Sequence, residues 1–150
     1  MTIKNEFITL IKTLERKINL DVISDVYFPE FRPKEMRERF SNFGAIQLKD
    51  ESIGIVFIGL SHKVRKEVSN IKTNNLIGVN PIDLAKKFNS ARELEKTLAL
   101  GAINAISQSI FKQANYQFDF VSDSLGLLNL SEDDKVGMVG YFPPLVKKIE

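Results

Sequence analysis

At 150 residues and a formal net charge of +2, the chain suits one domain with a sizeable core and is too evenly charged to indicate a nucleic-acid partner. It contains no cysteine, which excludes a disulfide framework and a thiolate metal site. Its longest apolar run, residues 54–60, is far shorter than the ~20 residues of a membrane-spanning helix, so we expect a cytoplasmic protein with no membrane partner.

The first half of the chain predicts one helix followed by an antiparallel meander. Apolar residues recur at helical spacing over residues 2–18. The β-rich segment Asp21–Phe28 follows, and a short polar turn typical of a hairpin joins the strands Ala45–Lys49 and Ile53–Leu60. Because the last strand is apolar without interruption, we predict that it is the central one. The polar segment 61–75 is predicted to be irregular.

The second half predicts two helices. Asn80 stands before a proline, a pattern typical of a helix start, and predicts the short helix Pro81–Phe88. Ser90 and Glu93 have the spacing of a capping box, in which each side chain bonds a free backbone N–H group of the other residue. They are predicted to open a long helix, Ala91–Ala114.

The centre of the long helix, Leu98–Ile106, is apolar nearly all round and is expected to be covered on most sides. Gly101 and Ala105 lie one turn apart there, which lets another backbone come close. We therefore predict an α+β fold, a three-stranded antiparallel meander packed against the helices. Burial is predicted for Leu14, Ile55, Phe57, Leu98, Ala102 and Ile106.

Two polar residues are candidates for a site, and each has a structural alternative. Asn104 is the one polar residue in the apolar stretch, and its amide either hydrogen-bonds across an interhelical or helix–strand contact or lines a pocket. His62 is the only histidine, and it is either structural or solvated, or a metal ligand, a role that would need carboxylates beside it. No nucleophile stands out, so no catalytic residue is predicted.

The closing segment, Val136–Phe142, is typical of a buried strand and glycine turn, preceded by an acidic turn at Ser131–Asp134. Its two glycines are fewer than a dinucleotide fingerprint needs, so a plain strand and turn is the alternative to a phosphate loop. Too few residues follow for a parallel crossover. The strand must fold back on its own domain or pair with another chain, and we predict a homodimer with this segment in the interface.

Two stretches resemble a heavy-metal chelation family of unknown function. They are SARELEKTLALGAINAISQ, Ser90–Gln108, and KVGMVGYFPPLV, Lys135–Val146. The resemblance implies that residues 1–130 form a domain similar to the N-terminal domain of enolase. It implies that residues 131–150 are the first strand and turn of a Rossmann-like domain that the chain does not complete.

The resemblance also implies a site in the cleft between the two parts. The residues that would face this cleft are Asn104, Gly140, Tyr141, Phe142 and Pro143. The implied function is a ligand- or metal-binding module whose complete cleft needs a second domain or a separate Rossmann-like partner. A metal ion is a candidate cofactor, and the ligand is unknown. The alternative is a non-catalytic interaction or assembly protein that dimerises through its C-terminal segment.

Overall fold

The computed structural model describes residues 3–29, 42–59, 61–118 and 131–135. The chain divides into two compact units, Met1–Tyr116 and Gln117–Glu150. In the first unit the elements are α1 (Ile3–Lys17), β1 (Ile23–Tyr27), β2 (Phe43–Leu48), β3 (Ile53–Phe57), α2 (His62–Ser69), α3 (Pro81–Ala85) and α4 (Glu93–Gln113), with short 3₁₀ turns at Thr73–Asn75 and Lys86–Asn89. The domain division predicted after residue 130 stays a prediction.

In the second unit, the described residues 131–135 contain the predicted acidic turn. The Asp134 carboxylate accepts hydrogen bonds from the backbone N–H of Ser131 at 2.8 Å and from its hydroxyl at 2.9 Å. These bonds hold the pKa of Asp134 below its ordinary value. The closing segment predicted to be a strand, Val136–Phe142, lies outside the described residues, so its structure stays a prediction.

The three strands form an antiparallel sheet in the order β1-β2-β3. The predicted α+β class and meander are confirmed, whereas the likeness to enolase and to a Rossmann-like domain stays a prediction. The prediction that the third strand is central is wrong, because β2 lies between the other two. An uninterrupted apolar run is typical of a strand buried on both faces, but among the described strands β3 lies at one end of the order, and its outward side chains are exposed.

Helix α4 packs against β3 at very close range, which the predicted pair of small residues, Gly101 and Ala105, allows. A Cβ atom placed on Gly54 would lie 2.0 Å from the carbonyl oxygen of Gly101 and 2.3 Å from the backbone nitrogen of Ala105. Any side chain at Gly54 would therefore collide with the helix backbone. This contact fixes which face of β3 is turned toward the helix.

The side of β3 that faces the helices is the one that carries Gly54. Because strand side chains alternate, Val56 and Ile58 share that side and are buried, while Ile55 and Phe57 lie on the other. Ile55 is 58% exposed and Phe57 is 40% exposed, so the prediction that both are buried is wrong. Composition alone could not assign the faces, since both are apolar.

The remaining predicted core residues lie in the core or against it. Leu98, Ala102 and Ile106 are buried on α4, and Leu14 on α1 is partly buried and packs against the core cluster. From the sheet, Ile23, Ile46 and Leu48 are fully buried in the same cluster. The core is therefore a single layer between one sheet face and the helices.

The segment predicted to be irregular contains helix α2, so that prediction is wrong. The Ser61 side chain caps this helix by accepting a hydrogen bond from the backbone N–H of Val64 at 3.2 Å. Val64 and Val68, four residues apart, are the buried positions of α2. These two apolar residues are enough to attach α2 to the core, because the rest of the helix faces outward.

The start of α3 is as predicted, but the start of α4 is not. Asn80 caps α3 by accepting from the backbone N–H of Ile82 at 2.9 Å. The predicted capping box is absent, because α4 begins at Glu93 rather than before it. Ser90 instead donates to Glu95 at 2.5 Å, and the Glu93 carboxylate accepts from the hydroxyl of Ser61 at 2.8 Å.

Candidate functional site

Asn104 lies on α4 beside the outer edge of the sheet. The bond from the N–H of Ile58 to the Asn42 carbonyl, at 2.8 Å, places the even-numbered residues of β3 in the ladder to β2. The carbonyl of Ile55 therefore points to the outer edge, where the Asn104 side-chain amide donates to it at 2.7 Å. This is the helix–strand hydrogen bond foreseen as the structural alternative, and the pocket role of Asn104 stays a prediction.

The other residues implied to face a cleft, Gly140–Pro143, lie outside the described residues, so the structure does not bring them to Asn104. His62 is the first residue of α2 and is exposed. Within the described parts of the chain, no three histidine, aspartate or glutamate side chains are grouped so that they could hold a metal ion. Nor does any described helix combine the length and apolar character that a bilayer crossing requires.

A different feature stands out on the face of the sheet turned away from the helices, which we call the open sheet face. It is formed by the outward residues of the three strands, Asp25, Tyr27, Phe43, Ala45, Gln47, Ile53, Ile55 and Phe57. Five of these are large apolar side chains between 40% and 61% exposed. Such side chains on one side of a sheet make a continuous apolar surface.

Strand register brings these side chains into rows across the sheet. Tyr27 pairs with Ala45, which in turn pairs with Ile55, so the small alanine lies between the two most exposed apolar residues of the face. Phe43 pairs with Phe57, and their rings meet edge to face with centroids 5.3 Å apart. Asp25, which pairs with Gln47, is the one charged side chain among the eight that define the open sheet face.

Both edges of the sheet make hydrogen bonds to other described parts of the chain. At the start of β1, Ile23 donates to the carbonyl of Val79 at 3.0 Å and accepts from the N–H of Gly78 at 2.8 Å. At β3, the amide of Asn104 occupies the outward carbonyl of Ile55. These bonds hinder the addition of a further strand at both edges.

A second feature is an open pocket of about 350 Å³ between the β2–β3 turn and the last turns of α4. It is lined by Glu51, Ser52, Ile53, Gln108 and Lys112.

The turn beneath this pocket is held to α4 by Asp50. Its carboxylate accepts from the backbone N–H of Ser52 at 2.9 Å and from the hydroxyl of Ser109 at 2.6 Å. The ammonium group of Lys112 donates to the backbone carbonyl of Asp50. Burial would raise the pKa of Asp50, but the hydrogen bonds from Ser109 and Ser52 and the charge of Lys112 outweigh it and hold this pKa below its ordinary value.

Comparison with known proteins finds no family model, no curated protein and no solved structure that matches the chain. The resemblance to a heavy-metal chelation family therefore stays a prediction. The open sheet face and the pocket are the two features that bear on function.

Proposed function

We propose that the chain is a non-catalytic assembly module that forms a homodimer through the open sheet face. The observation that supports this function is the row of Tyr27 and Ile55, two large apolar side chains that are 61% and 58% exposed. Scattered apolar residues are normal on a protein surface, whereas a contiguous group on one sheet face is typical of an interaction site.

The size of the face is compatible with a reversible dimer. Three aromatic and two isoleucine side chains, each about half exposed, present roughly 500 Å² of surface. Two such faces would bury roughly 1,000 Å² together, near the lower limit for a specific interface. We therefore expect a dimer that dissociates on dilution rather than an obligate one.

A second copy of the chain suits this face better than a charged partner does. Seven of the eight defining side chains are uncharged, and the one charge, Asp25, lies on β1 at one end of the strand order, so two copies can meet with few like charges opposite each other. Twisted sheets pack face to face at about 30°, and a two-fold axis lets the same surface serve both partners. The bonds made by Gly78, Val79 and Asn104 at the edges favour contact through faces over continuation of the sheet.

The test is light scattering over a range of concentrations on the full chain and on two lysine variants. Ile55→Lys places a charge within the proposed contact and should abolish the dimer. Ile77→Lys is the matched control, because Ile77 is 47% exposed but lies outside the sheet. A full chain that is monomeric at every concentration, or a dimer that both variants leave intact, would contradict the proposal.

Ligand binding is the second candidate function, and the pocket beside Lys112 is the observation that favours it. The narrower proposal of heavy-metal chelation is supported by the sequence resemblance alone, and calorimetric titration of the full chain with a divalent metal tests it. We also propose a cytoplasmic location, which is supported by the absence of cysteine and is tested by cell fractionation.

A further inference from the structure

We infer that the pocket between the β2–β3 turn and α4 binds a small zwitterion, a molecule with one carboxylate and one ammonium group such as a free amino acid. This inference goes beyond the assembly function and does not depend on it. The pocket volume of about 350 Å³ lies at the lower end of the range for small-molecule sites, which suits a ligand of this size.

The end of α4 supplies donors for a carboxylate. Lys112 is held over the turn by the bond from its ammonium group to the Asp50 carbonyl, and an ammonium has three donor hydrogens in all. Gln108 lies one helical turn earlier and lines the same pocket. Its side-chain amide makes no hydrogen bond to any described residue, so both of its donor hydrogens remain free for a ligand.

Ser52 also lines the pocket, but its hydroxyl is buried beside Asp50. Ser52 is only 6% exposed, and its side-chain oxygen makes no hydrogen bond within the described residues, although it is close enough to Asp50 to lower the pKa of that carboxyl. Because this oxygen is buried out of reach of solvent, Ser52 contributes to the lining of the pocket but not a hydrogen bond to a ligand.

The rim of the pocket supplies the opposite charge. Glu51 is exposed, and its carboxylate forms no ion pair with the described part of the chain. Its φ of 70° lies in the left-handed region, which costs a residue with a side chain about 1–2 kcal/mol. A lone anion would be repelled by Glu51 and a lone cation by Lys112, whereas a zwitterion satisfies both and can rest any apolar part against Ile53.

The test is a titration of the full chain with L-leucine, followed by the backbone amide signals of residues 51–53, 108 and 112. Acetate and methylammonium serve as the two half-ligands. We expect L-leucine to shift these signals in a saturable way and to bind at least tenfold more tightly than either half-ligand. No saturable shift, or acetate that binds as tightly as L-leucine, would overturn the inference.

Variants of the lining residues test which residue binds the carboxylate and which binds the ammonium group of the ligand. Gln108→Leu and Lys112→Met should each weaken L-leucine binding by about tenfold, which corresponds to about 1.4 kcal/mol. Glu51→Gln should reduce the preference for L-leucine over acetate and leave only the part that comes from contact with Ile53. Lys96→Met, on the same helix but away from the pocket, is the control. Equal weakening by Lys96→Met would show a general charge effect and overturn the assignment.

Two comparisons distinguish ligand binding in the pocket from a change in the turn and from dimerisation. Because Lys112 also bonds the Asp50 carbonyl, its variant changes the turn as well as the site, whereas Gln108→Leu changes the site alone. Because Ile53 belongs both to the pocket and to the open sheet face, the titration is repeated on Ile55→Lys. Binding that persists in this variant is independent of the dimer, and binding lost only there would contradict a site within one chain.

Discussion

The amide of Asn104 satisfies a carbonyl that the sheet itself leaves unpaired. Edge strands expose backbone groups that can pair with other chains, and proteins commonly cover them with side chains or helices. Here the cover comes from a helix that approaches β3 closely enough for a short asparagine to reach the carbonyl of Ile55 at 2.7 Å. The amide of Asn104 is exposed, and its bond to the strand gives it a structural role.

We expect Asn104→Ala to lower the free energy of unfolding by about 1 kcal/mol, because one hydrogen bond is lost and water can replace it only in part. Denaturant unfolding measures this change. Ser107→Ala is the control, since among the described residues the Ser107 hydroxyl bonds only the Ile103 carbonyl of its own helix, at 2.9 Å. An Asn104→Ala chain as stable as the control variant would show that the edge bond contributes nothing.

Asp50 makes stability depend on pH through the bonds that anchor the hairpin turn. Its folded-state pKa lies below the ordinary value of 3.8, so the stabilisation is fully present above about pH 4 and is lost as the pH falls through the folded-state pKa. We expect Asp50→Asn to lower the free energy of unfolding by roughly 1–2 kcal/mol at neutral pH. The difference from the unchanged chain should shrink below pH ~4.

Urea unfolding at a series of pH values measures this dependence. Asp21→Asn is a matched control, because Asp21 is exposed and its side chain makes no hydrogen bond to a described residue. A difference between Asp50→Asn and the unchanged chain that stays constant down to pH ~2 would show that ionisation of Asp50 is not the source of the stabilisation.

At the scale of elements, the packing of α4 on β3 depends on Gly54. Gly54→Ala should lower the free energy of unfolding by about 3 kcal/mol or more, because the added Cβ meets backbone atoms of Gly101 and Ala105 that only a movement of the whole helix can relieve. Gly44→Ala is the comparison, since its Cβ would first meet the Phe28 ring, at 2.7 Å, and that side chain can shift.

Thermal or denaturant unfolding of both variants decides between a helix-wide and a local effect. We expect the loss from Gly54→Ala to exceed that from Gly44→Ala clearly. Equal losses would mean that α4 moves away from β3 without difficulty, and that the close approach does not orient the strand.

The elements whose signals are local could be predicted from the sequence. Asn80 before a proline located the start of α3, and apolar periodicity located α1 to within a residue at each end. The faces of β3 could not be predicted, because its apolar residues occupy both sides and the choice depends on Gly54 meeting a helix nearly fifty residues later. Helix α2 was missed although Val64 and Val68 carried its signal.

For the candidate site, the sequence indicated Asn104 but not its partner, which lies 49 positions away. The open sheet face was missed for a related reason. Tyr27, Ala45 and Ile55 become neighbours only through strand register, which no single segment encodes. The pocket combines a turn with the end of a helix, so its residues also share no local pattern.

At the scale of the whole molecule, dimerisation would couple stability to concentration. A dimer that forms only from folded chains is stabilised by mass action, so its unfolding temperature rises with protein concentration. We expect this rise for the unchanged chain and for Ile77→Lys, and a constant unfolding temperature for Ile55→Lys. Calorimetric scans at several concentrations measure it.

A chain ending at Asp134 distinguishes the open sheet face from the C-terminal segment that the sequence alone favoured as the interface. If the sheet faces form the contact, the shortened chain keeps both its dimer and the concentration dependence of its unfolding temperature, because Tyr27, Ile53, Ile55 and Phe57 are all retained. Loss of the dimer on shortening, with Ile55→Lys still dimeric at full length, would place the interface in residues 135–150 and contradict the proposed role of the sheet.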